Sequence, residues 1–80
     1  MSSKDNIEYN DFKGKEARGL NDDDLGEVQE VRDDIVITKA GIIDKKIYKI
    51  PKNLIERFDG QNLIFKITKD EAKRQFETDL

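Results

Sequence analysis

Cysteine and histidine are both absent from the 80 residues of this chain. Without cysteine there is no disulfide framework and no thiolate for nucleophilic or zinc chemistry. Without histidine the chain lacks the commonest general base and metal ligand of proteins. These absences exclude many classes of enzyme, and we expect no catalytic residues, no metal and no cofactor.

The sequence predicts neither a signal peptide nor a membrane-spanning segment. Residues 1–10 lack the basic and apolar parts of a signal peptide. No apolar run approaches the ~20 residues that a transmembrane helix needs. We therefore expect a cytoplasmic protein without membrane insertion.

The residues that are present favour a small, mainly β domain. Charged residues make up 41% of the chain, yet its apolar residues are not scattered, because most of its isoleucines lie between Ile35 and Ile67. β-branched side chains favour the half-buried surface of a sheet. A chain of this length forms at most one domain with a small core. We assign that domain to residues 12–80, preceded by a flexible lead-in at residues 1–11.

Turn residues divide the domain into about five to six strands. Asx-rich turns at 21–24 and 33–34, the Lys39-Ala40-Gly41 break, Pro51 and the Asp59-Gly60 turn separate segments at 15–20, 25–32, 35–37, 45–50 and 63–67. Alternation places Tyr48 and Ile50 on the core side of their strand. Val28 and Val31 are three residues apart, so a bulge is expected between them if both face the core.

Two helical segments are expected outside these strands. After Pro51 has ended its strand, the apolar residues of 54–58 are expected to cap an open barrel end as a helical turn. Thr68 and Glu71 have the spacing of a capping box, which predicts a C-terminal helix over 68–79. The apolar stripe of this helix consists of Ala72, Phe76 and Leu80. The helix is expected to dock on the outer sheet face.

Two short segments resemble ligand loops but lack the required spacing. Asp22-Asp23-Asp24 resembles part of a calcium loop, but with Gly26 at the sixth position Arg32 occupies the place of the bidentate glutamate. A solvated turn is the favoured interpretation. Gly14-Lys15 lacks the upstream glycine and the following serine or threonine of a phosphate loop.

Positive charge is concentrated in the middle of the chain, although the net charge is -3. Its basic residues are Lys39, Lys45, Lys46, Lys49, Lys52 and Arg57. They form either a patch that attracts an acidic partner or nucleic acid or an ordinary solvated rim. The nearby Tyr48, Phe58 and Phe65 suit either base stacking or core packing, and strand alternation favours the core.

The order of several motifs resembles the PRC-barrel domain family. The motifs are Gly14-Lys15, the turn 22–24, Gly26-Glu27-Val28, Tyr48, Ile50-Pro51, Leu54-Ile55, Asp59-Gly60 and the helix start at 68–72. The resemblance covers about residues 12–76 and implies a small β-barrel that ends with a short helix. Related domains occur in a photosynthetic reaction-centre subunit, a ribosome-maturation factor and archaeal cell-division proteins. Their shared theme, contact between proteins, implies an interaction role here.

These features predict a non-enzymatic protein-interaction or adaptor module that self-associates, with a homodimer as the candidate assembly and the identity of any other protein partner open. The expected partner surface combines apolar side chains that alternate away from the core with nearby lysines: Val36, Ile47, Ile64, Lys45, Lys46, Lys49 and Lys52. The alternative is RNA-binding or ribosome-associated function through the basic stretch 39–57.

Overall fold

The computed structural model describes residues 9–41, 43 and 45–79, so most of the predicted lead-in lies outside the described residues. Within that part of the chain the elements are β1 (Glu16–Arg18), β2 (Asp24–Val31), β3 (Ile35–Ala40), β4 (Lys46–Pro51), β5 (Ile55–Phe58), β6 (Asn62–Phe65), α1 (Lys69–Gln75) and β7 (Glu77–Asp79). Short 3-10 helices occupy Tyr9–Phe12, Leu20–Asp22 and Lys52–Leu54. The mainly β fold with one short helix is confirmed, with one strand more than predicted.

The strands form a single sheet in the order β5-β6-β1-β2-β3-β4-β7. Five of its neighbouring pairs are antiparallel. The exception is the parallel pair of β1 and β6, in which Ala17 lies opposite Leu63. β1, the first strand in the chain, therefore lies inside the sheet between β2 and β6, a strand from the last quarter of the chain.

The connection between β4 and β5 shows that this sheet is strongly curled. The two strands are five positions apart in the sheet order, which corresponds to about 24 Å in a flat sheet. Only Lys52–Leu54 separate them in the chain, and such a connector spans at most about 14 Å. The sheet must therefore bend until the end of β4 meets the start of β5.

The curled sheet does not close into a barrel. Among the described residues, β5 pairs only with β6, and β7 pairs only with β4. Closure requires the outermost strands to share a ladder of hydrogen bonds. The structure thus differs from the predicted closed barrel, because β5 and β7 remain as the two edges of an open sheet.

The concave face of the sheet holds the hydrophobic core. Its largest fully buried apolar side chains belong to Tyr48, Phe65, Leu25, Ile50, Leu63, Val28 and Val36. The inward orientation predicted for Tyr48 and Ile50 is confirmed. Thr38 is also fully buried, and its hydroxyl donates a 2.8 Å hydrogen bond to the carbonyl oxygen of Leu25. This bond satisfies a polar group that would otherwise destabilise the core.

A bulge in β2 brings both of its valines to the core. The register against β3 shifts between Val28, which lies opposite Thr38, and Glu30, which lies opposite Ile37. Val28 is buried, and the half-buried Val31 packs against the core. The predicted bulge is confirmed.

Gly26 lies in β2, where its backbone passes close to that of β3. Its φ is +96°, a region that L side chains rarely adopt. A Cβ atom built there would overlap the backbone of Lys39 and Ala40. Both the dihedral angle and the close approach of the two strands therefore require glycine.

The predicted ends of two elements, β3 and the helical turn after Pro51, are wrong because strand pairing determines where these elements end. β3 continues through Lys39 and Ala40, where a break was expected, because these residues pair with Ile47 and Lys46 of β4. The helical turn predicted for residues 54–58 ends at Leu54, because the following four residues pair with β6 as β5.

The predicted Asp59-Gly60 turn joins β5 to β6. Asp59 Oδ1 accepts hydrogen bonds from the backbone N–H groups of Gln61 at 2.9 Å and Asn62 at 2.7 Å. These two bonds lower the pKa of Asp59 below its ordinary value, since they stabilise the charged carboxylate.

The C-terminal helix begins as predicted but ends earlier. Thr68 and Glu71 form the expected capping box. The helix stops at Gln75 instead of residue 79, because the next residues form β7 and pair with β4. Ala72 of the apolar stripe is fully buried and Phe76 is half-buried against the core, whereas Leu80 lies outside the described residues.

We expect Gly26→Ala to lower the free energy of unfolding by about 2 to 5 kcal/mol, because it adds a backbone clash to the strain of a positive φ. The matched control is Gly60→Ala, at φ +100° with nothing near the added methyl group, for which only the strain of about 1 to 2 kcal/mol is expected. Urea unfolding of both variants measures the difference. Equal losses would contradict the close-approach explanation.

Candidate functional site

The convex face of β3 and β4 carries the apolar side chains that the core leaves uncovered. Val36 is fully buried and lies directly opposite the equally buried Ile50. The prediction that Val36 belongs to the partner surface is therefore wrong, because the side chains on the outer side are those one position before and after it. Its neighbours Ile35 and Ile37 are half-buried and alternate with the buried Val36, so they face outward.

Four half-buried apolar residues form what we call the isoleucine face: Ile35, Ile37, Ile47 and Pro51. Ile35 lies opposite Pro51, and Lys39 lies opposite Ile47. Ile37 is therefore the diagonal neighbour of Ile47 on the same side of the sheet, within reach of a branched side chain. The register thus places the four residues on one side of the β3–β4 ladder, together with Lys39 and Lys49.

Charges of opposite sign flank the isoleucine face. On the β2 side lie Glu27, opposite Lys39, and Glu30, opposite Ile37. On the β4 side Lys49 is exposed and lies opposite Ile37. Glu30 also forms an ion pair with Arg32 at 3.0 Å. One row of the face thus runs from an acidic residue through an isoleucine to a lysine.

The remaining predicted partner residues do not join this face. Ile64 is half-buried in β6, where it lies opposite Arg18 of β1 and Arg57 of β5. Lys45 is exposed just before β4, and Lys52 belongs to the 3-10 turn after it. The basic stretch 39–57 is thus distributed over several parts of the molecule.

Helix α1 lies over one end of the concave side, rather than on the outer face where docking was expected. Ala72 is inserted in the core. The backbone N–H of Lys69 donates a 2.9 Å hydrogen bond to Asp23 Oδ2, which ties the helix start to the turn before β2. At the other end of the helix, β7 pairs with β4. The helix is therefore anchored on both sides.

A cleft of about 210 Å³ lies between this helix and the end of the β3–β4 hairpin. It is lined by Ala40, Gly41, Lys46, Tyr48, Lys69 and Lys73. Lys46 was a predicted partner residue, but the two helix lysines were not. Their spacing of four residues, which places them on one helix face, was the signal available in the sequence.

Acidic groups near the cleft compensate part of its positive charge. Glu77 Oε2 lies 3.7 Å from Lys46 Nζ, while Glu77 Oε1 is buried and accepts no hydrogen bond from the described residues. Burial raises the pKa of Tyr48 above its ordinary value, and the negative charges of Glu77 and Asp24 raise it further. The Tyr48 hydroxyl therefore remains protonated at neutral pH.

Each of the three aspartates of the turn 22–24 binds a neighbouring group of the fold. Asp24 Oδ1 accepts a 2.9 Å hydrogen bond from Gly26 N–H, and Asp22 lies 3.9 Å from Arg18 as an exposed ion pair. Asp23 holds the helix start, as described above. Within the described part of the chain, no group of three or more acidic side chains is arranged to hold a metal ion.

The raised pKa of Tyr48 leads us to expect a lower free energy of unfolding in alkaline solution. Since its pKa is raised in the folded state, the folded protein retains the phenolic proton at a pH where the unfolded chain has released it. The free energy of unfolding should therefore fall as the pH rises above about 10, and Tyr48→Phe should remove this part of the pH dependence. Urea unfolding between pH 8 and about 11 tests this, and an unchanged slope in the variant would contradict it.

The helices of the described residues include none with the length and apolarity needed to cross a lipid bilayer. No protein-family model matches the sequence, and no curated protein is significantly similar to it.

Proposed function

We propose that this chain is a non-enzymatic protein-interaction module that pairs with a second copy of itself through the isoleucine face. The observation that carries the proposal is the position of Ile35, Ile37 and Ile47 on the convex side of the sheet. The helix that was expected to cover this side occupies the opposite, concave side. An apolar surface rimmed by charges is typical of an interface between proteins.

The flanking charges favour a second copy as the partner. In a two-fold symmetric dimer the same surface of each copy is in contact with that of the other copy, rotated by 180°. With the axis parallel to β3 and passing over Ile37, the Glu30 edge of one copy lies over the Lys49 edge of the other. The surface is therefore complementary to itself in both charge and apolar character, which favours one pairing orientation.

The resemblance to PRC-barrel domains belongs to the same proposal. It is supported by the curled sheet, by the corner at Ile50-Pro51 and by the short helix after β6. The theme of protein contact in that family agrees with an interaction role. Nucleic-acid binding through residues 39–57 is the alternative, but the dispersal of the basic side chains favours a protein partner.

The proposed dimer is tested by analytical ultracentrifugation over a range of protein concentrations. Wild-type protein should dimerise reversibly. Ile37→Asp should weaken the dimer by at least about tenfold, because a charge would be desolvated at the centre of the interface. The exposed Ile43→Asp, in the β3–β4 connection, is the matched control and should not change the dissociation constant.

Charge exchange tests the orientation of the two copies. Glu30→Lys and Lys49→Glu should each weaken the dimer, since they oppose like charges across the interface. The double variant should recover most of the affinity. A monomer at millimolar concentration would overturn the proposal, and a dimer insensitive to these variants would move the interface to the edge strands β5 and β7. A monomer that binds RNA in a salt-dependent manner would favour the alternative.

A further inference from the structure

We propose that the cleft between α1 and the β3–β4 hairpin binds a phosphate group, either as inorganic phosphate or as a phosphate monoester. This site is distinct from the isoleucine face, because it opens at the concave side of the sheet. Its lining residues come from two elements that the chain brings together only in the folded state, β4 with its hairpin and α1.

The volume of the cleft suits a small anion. At about 210 Å³ it is smaller than the roughly 300 to 1,000 Å³ of pockets for drug-sized ligands. It nevertheless exceeds the ~30 Å³ that one water molecule occupies several times. A tetrahedral anion with a short substituent fits this space.

The charge of the cleft favours an anion over a neutral ligand. Lys69 and Lys73 lie four residues apart on one helix face, an arrangement in which like charges repel. Lys46 approaches from the opposite wall. Glu77 compensates one of these three positive charges through its contact with Lys46. A bound dianion would reduce the repulsion between Lys69 and Lys73.

The position of Lys69 is not explained by helix stability. It is the first helical residue, where the helix dipole disfavours a cation and favours the acidic residues that follow it. Residues that break a local rule are expected at functional sites. The hydrogen bond from the Lys69 backbone to Asp23 fixes the position of the Lys69 Cα atom at the rim of the cleft.

Tyr48 supplies a neutral hydrogen-bond donor at the cleft. The residue is 1% exposed and belongs to the core, and it also lines the cleft. A phenol that keeps its proton at neutral pH donates to a phosphate oxygen, as tyrosine hydroxyls do when buried next to an acceptor. Two lysines and one hydroxyl together provide donors from different sides of the ligand.

The test is a titration of the isotope-labelled full chain with inorganic phosphate, followed by amide chemical shifts at constant ionic strength. Saturable shifts should appear at Gly41, Tyr48, Lys69 and Lys73. Lys69→Gln combined with Lys73→Gln should weaken binding by at least about tenfold, since both charge-assisted contacts are lost. Lys13→Gln combined with Lys66→Gln, two exposed lysines elsewhere, is the matched control and should leave the affinity unchanged.

Two further variants separate electrostatics from a change in structure. Glu77→Gln should tighten binding, because it removes a negative charge near the ligand, and Tyr48→Phe should weaken it while retaining the packed ring. A second titration with O-phosphoserine distinguishes the sources: tighter binding than phosphate identifies a monoester, and weaker binding identifies the free anion. Shifts that chloride reproduces, or equal affinities of the two double-lysine variants, would overturn the proposal.

Discussion

The short connection from Pro51 to Ile55 is the constraint on which the rest of this structure depends. Two strands that are far apart in the sheet order are joined by a single turn of 3-10 helix, so the sheet has to curl. Backbone hydrogen bonds secure this corner, from Lys52 N–H to Asp34 O at 2.9 Å and from Lys66 N–H to Leu54 O at 2.8 Å. Curling gives an 80-residue chain a concave face on which a core can be enclosed.

Curling also determines where the two candidate sites lie. The concave side is filled by the core and is covered at one end by α1, and a cleft lies where the helix meets the β3–β4 hairpin. Within the described part of the chain, α1 does not extend over the convex side of β3 and β4. The half-buried isoleucines of that side are therefore the surface that the proposed dimer would use.

Features set by local chemistry could be predicted from the sequence. The capping box at Thr68 and Glu71, the end of β4 at Pro51 and the bulge beyond Val28 each follow from a few neighbouring residues. The orientation of Val36 could not be predicted in this way, because Ile35, Val36 and Ile37 are all apolar and show no alternation. Only the pairing of Val36 with Ile50 identifies the buried member of the three.

The end of the helix and the cleft depended on distant contacts. Phe76 continues the apolar period of α1, yet the chain leaves the helix there because β4 offers a free strand edge to Glu77–Asp79. The same pairing brings Glu77 to Lys46. The sequence showed the spacing of Lys69 and Lys73, but it contained no sign that a lysine from β4 would lie on the opposite wall.

The parallel pairing of β1 with β6 has a consequence for the way in which this protein is made. β1 lies between β2 and β6, so the sheet lacks one of its central ladders until the chain beyond Phe65 has left the ribosome. Contacts between distant parts of a chain slow folding, since the loop between them must first be closed. Nascent chains that end before β6 therefore expose the apolar residues of β2, β3 and β4, and this domain is expected to fold only after β6 has emerged from the ribosome.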